Sequence, residues 1–338
     1  MISERDEYLH LKEAPDPKAL FTDSLGVWLI DRQANICGIN HISLTNHGYG
    51  RYSALYIIDG VQQLYGNKHP IPEDPGHGPW SDGRLTYQVV KPLQEIRITF
   101  DGLRYAFDLT FTGRFPVFDY DDCYGGNPFD VIRERSPAGA GERPPVHFAG
   151  HQEQALDCRG TFEIRAGPRK GERRELRCWA HRDHSWSHRW HQPIEWDWPS
   201  AGSFPGHFWA VIQLPDRQIN AMGPLEGGQL PLGRGGFVCT AQGNTPLRDT
   251  KGEVLLADDG RTAMAFRLTL TLLDGQVIHV RTGRKYGQTK LWYRGDDDLE
   301  NPADCLEPFF DWEVEETGER GDGVCEYSIH PPRPRWLV

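Results

Sequence analysis

The sequence predicts an all-β protein of two halves, and three observations predict it. Short runs alternate apolar and polar residues, which is the period of a half-buried strand. The same grammar of strand, Asp-Gly turn and strand occurs in both halves of the chain. Finally, 37 Gly and 25 Pro punctuate the 338 residues, leaving little room for long helices, since either residue in a helix interior costs about 1 to 3 kcal/mol.

In chain order, residues 95–100 (Glu-Ile-Arg-Ile-Thr-Phe) alternate cleanly, turn at Asp101-Gly102, and resume over 105–112 (Tyr-Ala-Phe-Asp-Leu-Thr-Phe-Thr). That pair reads as a hairpin. Residues 133–145 are polar, rich in Gly and Pro, and without period, so they read as a linker. The boundary is placed there, giving domains 1–145 and 146–338. Within the second half, Gly223 to Gly236 reads as a loop, and residues 263–273, the turn Asp274-Gly275 and residues 276–281 form a second hairpin. Closed or sandwiched antiparallel sheets suit such strands, because closure removes sticky edges and a small barrel can enclose one ligand.

Composition narrows the function. The 11 Trp, 12 Tyr and 15 Phe supply enough large apolar surface for a sizeable core. A formal charge of -11 without a basic stripe argues against nucleic acid or an anionic membrane as partner. No stretch approaches the roughly 20 apolar residues of a membrane span, and the charged N-terminus differs from a signal peptide. The chain is therefore expected in the cytoplasm, without stable membrane insertion. The seven cysteines are scattered, with no Cys-x-x-Cys pair, and read as small buried hydrophobes. No dinucleotide, P-loop or nucleophile-elbow motif is present, so no cofactor is expected.

The segment 181–191, His-Arg-Asp-His-Ser-Trp-Ser-His-Arg-Trp-His, concentrates four His, an Asp, two Arg and two Trp. If extended, it places His181, Asp183 and Ser185 on one face and Arg182, His184, Trp186 and His188 on the other. A carboxylate beside imidazoles can separate their pKa values and give an acid and a base near neutral pH. Three readings stand: an acid/base site, a His-rich surface turn, and a metal site on His181, His184, His188 and His191, whose spacing requires a helix. Upstream, His151 and Glu153 share a face if extended and form a second proton-handling pair or a polar strand end. Downstream, Glu195-Trp-Asp-Trp198 and His207-Phe-Trp209 add aromatic surface and carboxylates, as core or as pocket wall. Asp296 to Asp298 read as a solvated loop.

His151-x-Glu-Gln154, Arg159-Gly160, residues 182–186 (Arg-Asp-His-Ser-Trp) with Arg189 and Trp190, and the closing residues 321–327 (Gly-Asp-Gly-Val-Cys-Glu-Tyr) resemble the AttH-like and hydroxyneurosporene synthase (CrtC-type) superfamily. The resemblance implies two tandem lipocalin-like β-barrel or sandwich domains, side by side, and cofactor-free chemistry on unsaturated apolar molecules: hydration in the carotenoid branch, cyclisation in related enzymes. It implies a role for His184-Ser-Trp186, which matches the His-x-Trp pair of the carotenoid hydratases. Their downstream Tyr-x-Asp pair has no counterpart, since this chain reads His-Phe-Trp-Ala-Val over 207–211. Asp183 or Glu153 would have to donate the proton instead.

The leading expectation is a cofactor-independent hydratase, isomerase or cyclase acting on a terpenoid, polyene, steroid or other hydrophobic small molecule. Asp183 is the expected acid, its pKa raised by burial against Trp, and His184 its partner, with His151 and Glu153 as further proton-handling groups. Trp186, Trp190 and Trp209, with Arg189 and His207, would bind substrate; no metal is expected. A non-catalytic carrier of a hydrophobic ligand and a His-ligated metalloenzyme are the alternatives, and a homodimer is left open.

Overall fold

Along Glu95–Asp101, Ile96, Ile98 and Phe100 turn inward while Arg97 and Asp101 face water, and Tyr105, Phe107, Leu109 and Phe111 of the next run answer them across the pair. Each inward side chain is at most 5 % exposed. The alternation read from the sequence is therefore the burial pattern of a real hairpin, and the same holds for Phe266, Leu268 and Leu270 in the second hairpin.

The computed structural model describes residues 2–128, 148–187, 206–226, 233–260, 262–291 and 304–329. Two units divide them, each centred on one curled antiparallel sheet. The first sheet comprises β1 (Thr22–Asp31), β2 (Ile36–Thr45), β3 (Tyr49–Ile58), β4 (Val61–Pro70), β5 (Trp80–Ser81), β6 (Leu85–Lys91), β7 (Glu95–Asp101), β8 (Tyr105–Gly113), β9 (Phe118–Asp119), β10 (Phe148–Ile164) and β11 (Arg173–Ser187). Its order is β4-β3-β2-β1-β11-β10-β8-β7-β6-β5, with β9 on β10. The second comprises β12 (His207–Gln213), β13 (Gln218–Pro224), β14 (Gly235–Thr240), β15 (Gly243–Pro246), β16 (Asp249–Leu256), β17 (Ala263–Thr271), β18 (Val277–Leu291), β19 (Asp304–Val314) and β20 (Arg320–Ile329), in the order β15-β14-β13-β12-β20-β19-β18-β17-β16. Each unit has its own apolar core, around Tyr56, Phe107 and Phe162 in the first and Phe266, Phe310 and Trp312 in the second. The fold class is thus all-β, as expected. Among the described residues no helix is long and apolar enough to cross a membrane.

The division of the chain differs from the boundary expected after residue 145. β10 and β11 follow that point, yet they insert between β8 and β1 of the first sheet. β10 runs along β8 from Leu156 to Ile164, and β11 runs along β1 from Ala180 to Ser187, so both bordering strands have their backbone groups paired. The first unit is therefore discontinuous in sequence. The expected linker itself, 133–145, lies outside the described residues.

Three short 3-10 turns complete the described secondary structure; two of them, Glu4–Glu7 and Leu11–Glu13, precede β1. This N-terminal segment is anchored by charge. Glu7, fully buried, pairs with Arg182 of β11 and accepts the backbone N–H of Leu93 at 2.6 Å.

Candidate active site

β11 is extended over its whole length, so its side chains alternate between two faces of the sheet. The register with β10 sets Glu153 opposite Asp183, His151 opposite Ser185 and Ala155 opposite His181. On the other side, β1 sets Gly26 opposite Asp183 and Trp28 opposite His181. Directly opposed residues share a face. His151, Glu153, His181 and Asp183 therefore meet on one face, while Arg182, His184 and Trp186 turn to the core.

The first face carries a chain of alternating carboxylates and imidazoles. His151 Nε2 is hydrogen-bonded to Asp183 and lies 3.2 Å from Glu153 Oε1, and Glu153 Oε2 lies 3.1 Å from His181 Nε2. Ser185 Oγ donates to Asp183 Oδ1 at 3.2 Å. His151, Glu153 and His181 are buried, while the Asp183 side chain keeps 17 % of its surface exposed and forms the open end. Burial disfavours a charged His151, but the carboxylates of Asp183 and Glu153 outweigh it and push its pKa up to about 10. Burial likewise opposes charge on Glu153, yet His181 and His151 hold its carboxyl below the usual range. At neutral pH His151 is thus a buried cation between two carboxylates.

An aromatic surface adjoins this chain. A Cβ added to Gly26, the residue opposite Asp183, would lie 2.6 Å from the Trp28 indole, so the ring fills the space that a side chain at position 26 would take. Trp28 also stands 6.0 Å from His181, ring centre to ring centre.

The core face holds a different network. His184 Nε2 lies 2.8 Å from Asp23 Oδ1, and Asp23 Oδ2 accepts the backbone N–H of His10 at 2.6 Å. Trp186 stacks on the His10 ring at 3.7 Å with 4° between planes, in space left by Gly150, where a Cβ would stand 2.1 Å from the indole. Burial works against the Asp23 carboxylate, but His184 and His10 overcome it and hold the pKa down to about 2.

Several expectations are corrected by this alternation. His184 is not the partner of Asp183: the two point to opposite faces, His184 pairs with Asp23, and Asp183 pairs with His151. Trp186 is on the core side too, so burial against it cannot raise the Asp183 carboxyl. The helical metal set fails because β11 is a strand, which sends His181 and His184 apart. His207 and Trp209 lie on β12 of the second unit, where Trp209 Nε1 donates to Tyr120 Oη at 3.0 Å; burial pushes the His207 imidazole down to about 3. Arg189 and Trp190 lie outside the described residues, as do His188, His191, residues 195–198 and residues 296–298.

His181, expected on the face of Asp183 and in the alternative metal set, is brought to Glu153 by its opposition to Ala155. Three residues were not among the expected site. Trp28, Asp23 and His10 carry no signal in the sequence, because the pairing of β1 with β11 places the first two and the bond to Asp23 places His10. Among the described residues two groups could hold a metal ion, His151–Glu153–Asp183 and His10–Asp23–His184, the donor atoms in each lying within 4.8 Å of one another.

Comparison with known proteins agrees with this architecture. The chain shares its fold with the AttH-like, lipocalin-like proteins. Kievitone hydratase from Nectria haematococca superposes with a TM-score of 0.56 at 14 % identity, covering 100 % of this chain and 94 % of that one. An AttH candidate from Nitrosomonas europaea gives 0.54 at 13 % identity, covering 95 % and 96 %. CghA gives 0.55 at 11 % identity, covering 94 % and 90 %. The chain belongs to the DUF7064 family, a domain of unknown function whose model matches residues 3–331. No curated protein matches the sequence.

Proposed function

We propose that this protein is a cofactor-independent acid/base enzyme, a hydratase, isomerase or cyclase that moves a proton on an unsaturated hydrophobic small molecule. The observation that carries the proposal is the Asp183–His151–Glu153–His181 chain, three of whose members are buried while Asp183 opens outward. Structural likeness to a protein named as a hydratase lends support.

Adding water to a double bond requires a proton at one carbon and a hydroxyl from water at the other, so one group must give a proton and one must take it. Asp183 is the group placed to exchange that proton with the substrate. The His151 imidazolium offsets the charge on Asp183 and exchanges its proton with it, and Glu153, itself 3.1 Å from His181, holds the imidazolium from the other side. Trp28 supplies an apolar wall whose ring face tolerates developing positive charge. Terpenoids, polyenes and steroids are the substrate classes that fit such a wall.

The test is incubation with a panel of such compounds and mass spectrometry of the products. Asp183→Asn and His151→Gln should each lower turnover by about a hundredfold or more, the usual weight of a positioned acid or base. Full turnover in both variants would contradict the assignment. The burial of His151, Glu153 and His181 also favours a second reading, a fixed charge network in a carrier, in which both variants still bind ligand and no compound is converted.

A further inference from the structure

On the core side of β11, away from the proton-handling chain, His10 and Asp23, from the N-terminal segment and β1, converge with the distant His184 in the interior of the first unit. All three are at most 2 % exposed. Their polar atoms are poorly satisfied for so buried a place. Among the described residues, neither ring nitrogen of His10 has a hydrogen-bond partner, nor has Nδ1 of His184. A buried polar atom left unpaired costs about 1 to 3 kcal/mol, and His10 Nδ1, which faces Asp23, is the one that a ligand held between these three residues would satisfy.

The geometry points to a site for one divalent first-row transition-metal ion, zinc being the closest fit, held by His10 Nδ1, Asp23 and His184 Nε2. Two imidazoles and one carboxylate are a donor set such ions accept. Nδ1 of His10 lies 3.4 Å from Asp23 Oδ2, a spacing expected of two donors about 2 Å from a shared ion. Nε2 of the same ring faces Asp6 Oδ1 at 3.8 Å, the outer carboxylate that metal-bound histidines commonly carry. Asp23 and Asp6 together balance a charge of two. Trp186 lies flat on His10, fixing the ring and keeping bulk water away. The ion enters as His184 gives up its hydrogen bond to Asp23 and both become ligands, and the residues before β1 are thereby fastened to β1 and β11.

The experiment uses the full chain without an affinity tag, stripped with chelator and titrated with zinc by calorimetry. One equivalent should bind with a Kd below about a micromolar and raise the melting midpoint by about 5 °C at saturation. His10→Gln and Asp23→Asn should each weaken binding at least about tenfold, the lower end of the loss typical of a disturbed metal shell. Glu153→Gln, which removes a donor from the other candidate group, should leave it intact. Absence of zinc binding to the wild-type chain overturns the proposal, and so does binding that survives in His10→Gln but is lost in Glu153→Gln. If the variants fail to fold, the wild-type chain loaded with cobalt decides: paramagnetic shifts on the ring protons of His10 and His184 support the site, and unshifted rings overturn it.

Discussion

His151 is the residue on which the charge of the site turns. Its pKa is pushed from the usual 6.5 up to about 10 by Asp183 and Glu153 against the effect of burial. Proton binding that is tighter in the folded state stabilises that state, fully below about pH 6.5 and progressively less as pH rises through about 10. At about 1.4 kcal/mol per tenfold change in proton affinity the contribution is a few kcal/mol. Urea midpoints should therefore fall between pH 6.5 and 10 in the wild type, while His151→Gln, weaker throughout, should be nearly flat across that window; parallel curves would remove the imidazolium from the account. A second residue-scale prediction concerns Gly26, whose missing side chain lets the Trp28 indole lie beside Asp183. Gly26→Ala should displace the ring, destabilise the protein by about 1 to 3 kcal/mol and lower turnover more than ligand binding, as read from melts and from kcat against KM. This part of the site was half legible. Alternation along a strand correctly sorted residues 181 to 186 between two faces, and correctly joined His151 with Glu153. It could not say that β10 pairs with β11, so Asp183 was given its sequence neighbour His184 and not His151, its neighbour across the sheet.

At the scale of elements, the segment before β1 is tied to the sheet by single buried charges. Glu7 pairs with Arg182 where neither side chain exceeds 4 % exposure. Breaking one partner leaves a buried charge uncompensated, so Glu7→Ala should cost about 3 to 5 kcal/mol, and adding Arg182→Met should recover much of it. Thermal melts of the single and double variants measure this, and a harmless Glu7→Ala would show that the segment is not held there. Nothing in the sequence foretold the anchor, because Glu7 and Asp23 sit in no periodic pattern and find Arg182 and His184 more than a hundred residues away. β1 was equally hard to read: all ten of its residues are buried, so no alternation remains. The hairpins β7–β8 and β17–β18 were legible because one face of each meets a core and the other meets water. That contrast has a consequence for stability. Leu109→Ala, in the core of β8, should cost about 2 to 5 kcal/mol, whereas Leu64→Ala on the exposed edge strand β4, where the side chain is 59 % exposed, should stay within about 0.5 kcal/mol.

For the whole molecule, class and strand vocabulary were written locally and could be read, while the division of the chain was not. A Gly/Pro-rich stretch shows where regular structure stops, but not which sheet the next strand joins; that is decided by long-range pairing of β10 with β8 and β11 with β1. The consequence is functional. Placing β10 and β11 in the first sheet creates the His151–Asp183 contact and sets Gly26 and Trp28 beside it. The proposed reaction requires Asp183 to exchange a proton with a substrate carbon, without a cofactor. The most direct measurement is incubation of chelator-treated protein with unsaturated terpenoids, polyenes and steroid enones in D2O, followed by mass spectrometry beside Asp183→Asn. Deuterium should enter one compound in the wild type and not in the variant. Equal labelling by both, or labelling of none, would contradict the assignment.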